Sequence, residues 1–396
     1  MAIDRAAALL WYQRNRARSR VLFDMLAEDV YYQKPIDLRH PVVFYEGHLP
    51  GFSFNTLVKK ALGRPSIDAR LETLFARGID PPSPLRGYGE TSPRAAEGWP
   101  EREAVRAFVD EADALVVSAL KHDEVDAEPV FTILEHEAMH QETLLYMWHR
   151  LPFDQKKRPD EYAPVTGGRV PAQDWIEIPA GRAALGADPA SVPFAWDNEM
   201  PSYDVDVPAF RIQRHDVTNA QYLECVEAGA LPPPLFWERV NGDWYWRGMF
   251  ELMPLPLSWP VYVSQAEADA YGRWRGWRLP TEAEYQRAAD GASPGVCDFT
   301  TWDPEPAGSH PAGASRYGVE DLVGNGWEWT STPFAPFPGF RASVSYPEYS
   351  ADFFDGEHFV MKGASPATAR ELVRPTFRNW FRPRYPYVYA TFRCAR

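Results

Sequence analysis

The stretch His136-Glu-Ala-Met-His140-Gln-Glu142-Thr-Leu-Leu-Tyr146 places two imidazoles four residues apart in a segment of helical periodicity. Residues at i and i+4 lie on one helix face, about 5–6 Å apart at Cβ, so both rings can reach one metal ion. Two helical ligands are half a site. The rest must come from another element, and the fold has to bring it there.

The region before residue 150 supplies candidate elements. Residues 5–30 carry Leu9, Leu10, Tyr12, Val21, Leu22, Met25 and Leu26 at three- and four-residue spacings, the pattern of an amphipathic helix. Further helices are predicted over 41–62, 100–121 and 128–150, the first with a kink or brief break at Pro50-Gly51. Four helices in this order predict an antiparallel bundle with side chains projecting inward. Residues 156–172, rich in Pro, Gly and charge, read as a linker. Beyond it, short strands and turns dominate, with helices predicted over 218–228, 264–275 and 281–289, capped by Thr218, Ser264 and Thr281. The expected fold class is α + (α+β): a helical domain over 1–155, then an α+β domain over 173–396 with much irregular structure.

A net charge of −14 argues against nucleic acid or an anionic membrane as a partner. No run approaches the roughly 20 apolar residues that a membrane helix needs, and Met1–Arg20 lacks a signal-peptide cleavage pattern. Cys225, Cys297 and Cys394 are too few and too scattered for a disulfide framework, so a cytoplasmic protein is expected.

Read alone, His136-Glu137-Ala-Met-His140 also matches the zinc-protease helix HExxH, with Glu137 as general base. That reading needs a downstream ligand, and Glu161 lies in the Pro-rich linker. The bland reading is two packed or exposed histidines on an amphipathic helix. A third histidine, His48 in Phe44-Tyr-Glu-Gly-His48-Leu-Pro-Gly51, falls in the second predicted helix, where a bundle can bring it beside the pair. Three neutral imidazoles with open positions suit iron, copper or zinc rather than magnesium or calcium. Glu142, about 120° around the helix from the histidine stripe, is expected to support the ligands from outside or to be structural rather than to be a ligand itself.

Five further markers occur in order: Trp196-Asp-Asn-Glu-Met-Pro201, Asp216-Val-Thr-Asn219, Arg278-Leu-Pro-Thr-Glu-Ala-Glu284, Gly324-Asn-Gly-Trp-Glu-Trp-Thr330, and Phe377-Arg-Asn-Trp380 with Thr391-Phe-Arg-Cys-Ala395. With these, the C-terminal part resembles the C-type-lectin-like, formylglycine-generating-enzyme-like (sulfatase-modifying-factor) domain, and the N-terminal part resembles a DinB-like four-helix bundle. The joined pair resembles the ergothioneine-type sulfoxide synthases. Those are non-haem iron(II) enzymes that use dioxygen to join sulfur to C2 of the hercynine imidazole. The resemblance implies Fe(II) on His48, His136 and His140, with hercynine, a chalcogen donor and O₂ as small-molecule partners. It also implies that Asn379 and Trp380 meet the trimethylammonium group, that Met139 lines the substrate, and that Tyr346 or Tyr349 donates a proton or hydrogen bond in the dioxygen chemistry. Aromatic faces attract a quaternary ammonium by roughly 0.5–2 kcal/mol per contact. A formylglycine-generating enzyme proper is set aside, because its C-terminal copper-binding cysteine pair is here reduced to Cys394.

The chain departs from the γ-glutamylcysteine-using members of that family. An aspartate that follows their Asn-Trp pair is here Phe381, and their arginine region becomes Pro81-Pro-Ser-Pro-Leu-Arg86-Gly87-Tyr88, with Arg86 retained. Losing a buried carboxylate removes charge-assisted binding of a zwitterionic donor, whereas Phe381 offers a flat face for a sugar ring. That pattern resembles the selenoneine synthase branch, which takes a selenosugar and gives a hercynyl selenoxide. The alternatives are an ergothioneine-type enzyme using cysteine or γ-glutamylcysteine, an ovothiol-type enzyme acting on histidine, and a non-catalytic binding module.

Overall fold

A computed structural model describes residues 3–76 and 98–396. It divides into two compact units, one of residues 1–158 with 344–347, the other of 159–343 with 348–396. Arg86 lies outside the described residues.

The first unit is helical. Helix α1 (Arg5–Asp24) starts at Asp4, whose carboxylate accepts the Ala7 N–H at 3.0 Å. It stops short of the predicted residue 30. The Ala27 N–H is taken by the Gln155 carbonyl and the Met25 carbonyl by the Lys157 N–H, so tertiary pairing replaces the next helical turn. Helix α2 (Val42–Ser53) runs through Pro50-Gly51 unbroken, contrary to expectation. The irregularity comes later, as a π-helical stretch over Phe54–Ala61, whose i→i+5 turns are wider than α turns. Short α3 (Ala69–Leu74) is capped by Asp68, and α4 (Arg102–His122) and α5 (Ala127–His149) complete the unit.

Helix α1 packs on α4 and α5, and α2 packs on the same two helices. Their apolar faces meet in a core that includes Tyr12, Phe54, Leu57, Val116, Leu120 and Ile133, with Tyr346 packed against it. Gly47 is required on α2, because a Cβ there would lie 2.5 Å from the Phe75 ring.

The second unit is a set of small sheets joined by long loops. In chain order come β1 (Trp175–Ile178), β2 (Gly181–Leu185), β3 (Tyr203–Val207) and β4 (Phe210–Gln213), paired antiparallel as β1–β4 and β2–β3. Next are α6 (Asn219–Glu227), β5 (Trp237–Val240), β6 (Asp243–Arg247) and β7 (Leu252–Pro254), the three strands forming one sheet. Helices α7 (Gln265–Arg275) and α8 (Glu282–Ala288) follow. Thr218, Ser264 and Thr281 cap α6, α7 and α8 as expected, each within a reciprocal capping box. Finally β8 (Gly326–Pro333), β9 (Phe359–Ala364), β10 (Asn379–Phe381) and β11 (Ala390–Thr391) form a four-stranded sheet in the order β10-β9-β8-β11.

Buried ion pairs hold the loops of this unit, and many come from the sequence markers. Arg393 bonds Glu328 at 2.6 Å and Asp216 at 3.0 Å, all three side chains fully buried. Arg378 pairs with Glu282 at 2.8 Å, and Glu199 takes Arg374, Thr376 and the Trp196 N–H. These marker residues act as scaffold, since a buried charge is tolerated only when paired and hydrogen-bonded. No helix among the described residues is long and apolar enough to cross a membrane.

Candidate metal centre

Helix α5 carries two polar stripes about 100° apart. One is His136 and His140. The other, Glu137 and Gln141, faces α1: Glu137 accepts from Arg16 Nη1 at 2.8 Å and Ser19 Oγ at 2.7 Å, and Gln141 Nε2 donates to the Asn15 carbonyl at 2.9 Å. Arg16 also reaches Asp113 on α4 at 2.9 Å, and Asp113 accepts from the Tyr12 hydroxyl at 2.6 Å. This network fixes the rotation of α5 and so presents the histidine stripe toward α2. It also removes the zinc-protease reading's general base, because the Glu137 carboxylate is fully buried and engaged with Arg16 and Ser19. Glu161, the downstream ligand that reading needs, belongs to the second unit.

His48 completes the group from α2. Ligand nitrogens of His48, His136 and His140 lie within 4.8 Å of one another, and among the described residues no carboxylate joins them. The His48 Nδ1 is 2.7 Å from the Phe75 carbonyl oxygen. A carbonyl only accepts, so Nδ1 carries the proton and Nε2 presents its lone pair. That Nε2 lies 3.3 Å from His140 Nε2. Two nitrogens held about 2.0–2.1 Å from one metal at tetrahedral or octahedral angles are roughly 2.8–3.4 Å apart. The donor set therefore fits a transition-metal ion, and the His48–Phe75 hydrogen bond is the outer support that metal-bound imidazoles commonly have. Burial pushes the His48 imidazole down to about 4 and holds His136 and His140 well below the usual histidine range, their neighbouring imidazoles adding to the effect. Neutral rings are what a metal needs.

Aromatic rings fix the imidazole planes. Phe44 stacks on His48 with centroids 5.0 Å apart, and Phe52 lies face to face on His136 at 3.5 Å and 10°. Phe44, His48 and Phe52 are spaced i, i+4, i+8, one stripe of α2 running into its last turn. That spacing around His48 is visible in the sequence and is the signal for Phe44 and Phe52 as ring supports. Tyr346 packs in this unit, 5.1 Å from Phe52 and 6.1 Å from His136 between centroids. Met139 is half-buried on α5. Glu142 is buried and lies outside the ligand group.

The remaining predicted residues belong to the second unit. Trp380 on β10 is stacked by Phe334 at 4.3 Å and 5°, with Tyr349 edge-on at 5.1 Å and Phe353 at 5.7 Å. Tyr349 is itself stacked on Trp196 at 3.9 Å. Asn379 accepts the Trp380 N–H, and Phe381 stacks on Tyr385 at 4.9 Å. The two candidate tyrosines thus have different settings: Tyr346 is beside the histidines, and Tyr349 is in the aromatic cluster around Trp380. Cys225, Cys297 and Cys394 are buried, free thiols.

Residues 162–396 match the sulfatase-modifying factor enzyme 1-like domain. The chain is 33% identical over 306 residues to a hercynine oxygenase of Mycolicibacterium smegmatis, across 66% of this chain and 70% of that protein. It is 29% identical over 418 residues to ergothioneine biosynthesis protein 1 of Schizosaccharomyces pombe, across 92% of this chain and 53% of that longer protein. A formylglycine-generating enzyme of Mycobacterium tuberculosis matches over 41% of the chain at 29% identity. The second unit is therefore a sulfatase-modifying factor enzyme 1-like domain. The chain as a whole belongs to the ergothioneine-type sulfoxide synthase family.

Proposed function

We propose that this chain is an iron(II)- and O₂-dependent enzyme that joins a chalcogen to C2 of the hercynine imidazole, and that its donor is a selenosugar, giving a hercynyl selenoxide. The observation that carries the reading is the three-histidine group contributed by α2 and α5, without a carboxylate among the described residues, beside a tyrosine. In this reading residues 1–155 are a DinB-like bundle that holds the metal, 156–172 a linker, and 173–396 the domain that recognises substrate.

His48, His136 and His140 would hold the iron, which when bound supplies the redox chemistry that dioxygen requires and that zinc lacks. Three protein ligands leave positions for substrate. The stack of Phe52 on His136 and the His48–Phe75 bond keep the rings in place without a rotamer search. Trp380, with Tyr349 and Phe353 around it, offers ring faces and edges to the trimethylammonium group of hercynine. Tyr346 would hold or deliver a proton at its hydroxyl, a role supported by its packing beside His136, and Tyr349 would serve as a wall of the aromatic cluster.

Phe381 supports the selenosugar. Stacked on Tyr385, it presents an apolar platform where a zwitterionic donor would need a carboxylate. The second reading, an ergothioneine-type enzyme using cysteine or γ-glutamylcysteine, draws on the names of the bacterial and fungal relatives. The test of the site is iron content and hercynine-dependent O₂ uptake in the parent and in His136→Ala. The variant is expected to lose most iron and nearly all uptake; parent-level iron and turnover would refute the ligand assignment.

A further inference from the structure

Residues 344–347 belong with the helical unit although they follow β8 in the chain, and Tyr346 lies in this strap. Its tie to the helices is built from two side chains. Lys60, near the end of the π-helical stretch, donates from Nζ to the Val344 carbonyl at 3.2 Å and the Ser345 carbonyl at 3.1 Å. Glu128, in the first turn of α5, accepts the Ser345 N–H at 2.9 Å. A cation thus holds two backbone acceptors, and a carboxylate holds the donor immediately before Tyr346. Val344 is exposed, at 79%, so its side chain adds little packing, and the bonds from Lys60 and to Glu128 tie the backbone there.

We propose that Lys60 and Glu128 are positioning residues that latch the 344–347 strap and thereby seat the Tyr346 ring against Phe52 and His136. The inference rests on the role given to Tyr346 above. Neither side chain belongs to the histidine group, and both act through the backbone they hold. The π-helical stretch takes a part as well. It begins at Phe54, directly after the turn that carries Phe52, and brings Lys60 to the strap from the same helix that brings Phe52 to His136. One continuous helical element therefore stacks a ligand ring and ties down the segment that carries the tyrosine.

Four single variants of the full chain test this, with two readouts. Lys60→Met and Glu128→Ala remove the hydrogen bonds, whereas Lys60→Arg and Glu128→Gln retain a donor and an acceptor. Amide hydrogen exchange of the 342–349 peptide is expected to quicken roughly tenfold in the first pair and to stay near the parent rate in the second. In the iron-loaded enzyme, kcat should fall in Lys60→Met and Glu128→Ala toward that of Tyr346→Phe, with KM for hercynine unchanged. Adding Tyr346→Phe to Lys60→Met should cost little more. Unchanged exchange would overturn the latch whatever the turnover shows. Faster exchange with parent kcat would overturn its positioning role. Parent kcat in Tyr346→Phe would instead sink the reading of the tyrosine, and exchange would still decide the latch.

Discussion

Arg16→Met removes the guanidinium that holds two carboxylates inside the helical unit. Arg16 Nη1 lies 2.8 Å from Glu137 and Nε 2.9 Å from Asp113, with the Arg16 side chain 7% exposed and that of Glu137 at 0%. Methionine retains much of the stem, so the loss is mainly electrostatic rather than a cavity. Removing one partner of a buried pair costs about 3–5 kcal/mol, because the remaining charge stays buried and uncompensated. A domain holds only about 5–15 kcal/mol in all. At about 2–4 °C per kcal/mol for a unit of this size, the helical transition should fall by roughly 6–20 °C. Glu137→Gln in the same chain should recover part of that, because an amide is cheaper to bury than a lone carboxylate.

The pH dependence gives a second handle on the same variant. Burial holds the Glu137 carboxyl above the usual range, against the opposing pull of Arg16 and Ser19. A carboxyl that binds its proton more tightly folded than unfolded contributes full stability below its unfolded pKa. That contribution is lost as pH rises toward the folded value. Without Arg16 the folded value moves higher, so the deficit against the parent should be smallest in acid and largest near neutrality. Melting followed by far-ultraviolet circular dichroism between pH 4 and 8 checks both statements. A shift under about 2 °C at neutral pH, or a deficit that grows toward acid, would refute the reasoning.

Gly47→Ala places a Cβ 2.5 Å from the Phe75 ring, whose displacement carries away the carbonyl that orients His48. Metal affinity should drop about 10–100-fold in a chelator competition, the usual cost of losing such a support. Trp380→Ala should raise KM for hercynine roughly 2–30-fold, the equivalent of one lost cation–π contact, with iron content unchanged. Phe381→Asp should shift donor preference toward a zwitterionic thiol by roughly 10–100-fold in paired kcat/KM measurements, the equivalent of one hydrogen bond to a charged group.

What was legible in the chain was local. The periodicity that predicted helices over 100–121 and 128–150 matches α4 and α5 within two residues at each end, and Thr218, Ser264 and Thr281 cap helices because a hydroxyl at that position has few other uses. The i,i+4 histidine pair falls on one face by geometry alone. His48 is a candidate from its place in the second predicted helix, and the family resemblance strengthens it; its meeting with His136 and His140 depends on packing between helices far apart in sequence. The end of α1 was misjudged because residues 155–157 capture its chain, a contact more than a hundred residues away. The same holds for Glu137: its neighbours in sequence suggest a metal-site base, but its partners are Arg16 and Ser19. Nothing in Ser345-Tyr-Pro-Glu-Tyr349 separates the two tyrosines, since a three-residue step says nothing of which unit each packs in.

The most direct test of the account is a donor competition. Iron(II)-loaded protein would receive hercynine, O₂ and equal amounts of a selenosugar, γ-glutamylcysteine and cysteine, with products identified by mass spectrometry. The account predicts a selenium-bearing hercynine adduct as the main product. A sulfur adduct from either thiol would contradict the donor and leave Phe381 as packing, and the absence of any hercynine adduct would contradict the proposed reaction itself.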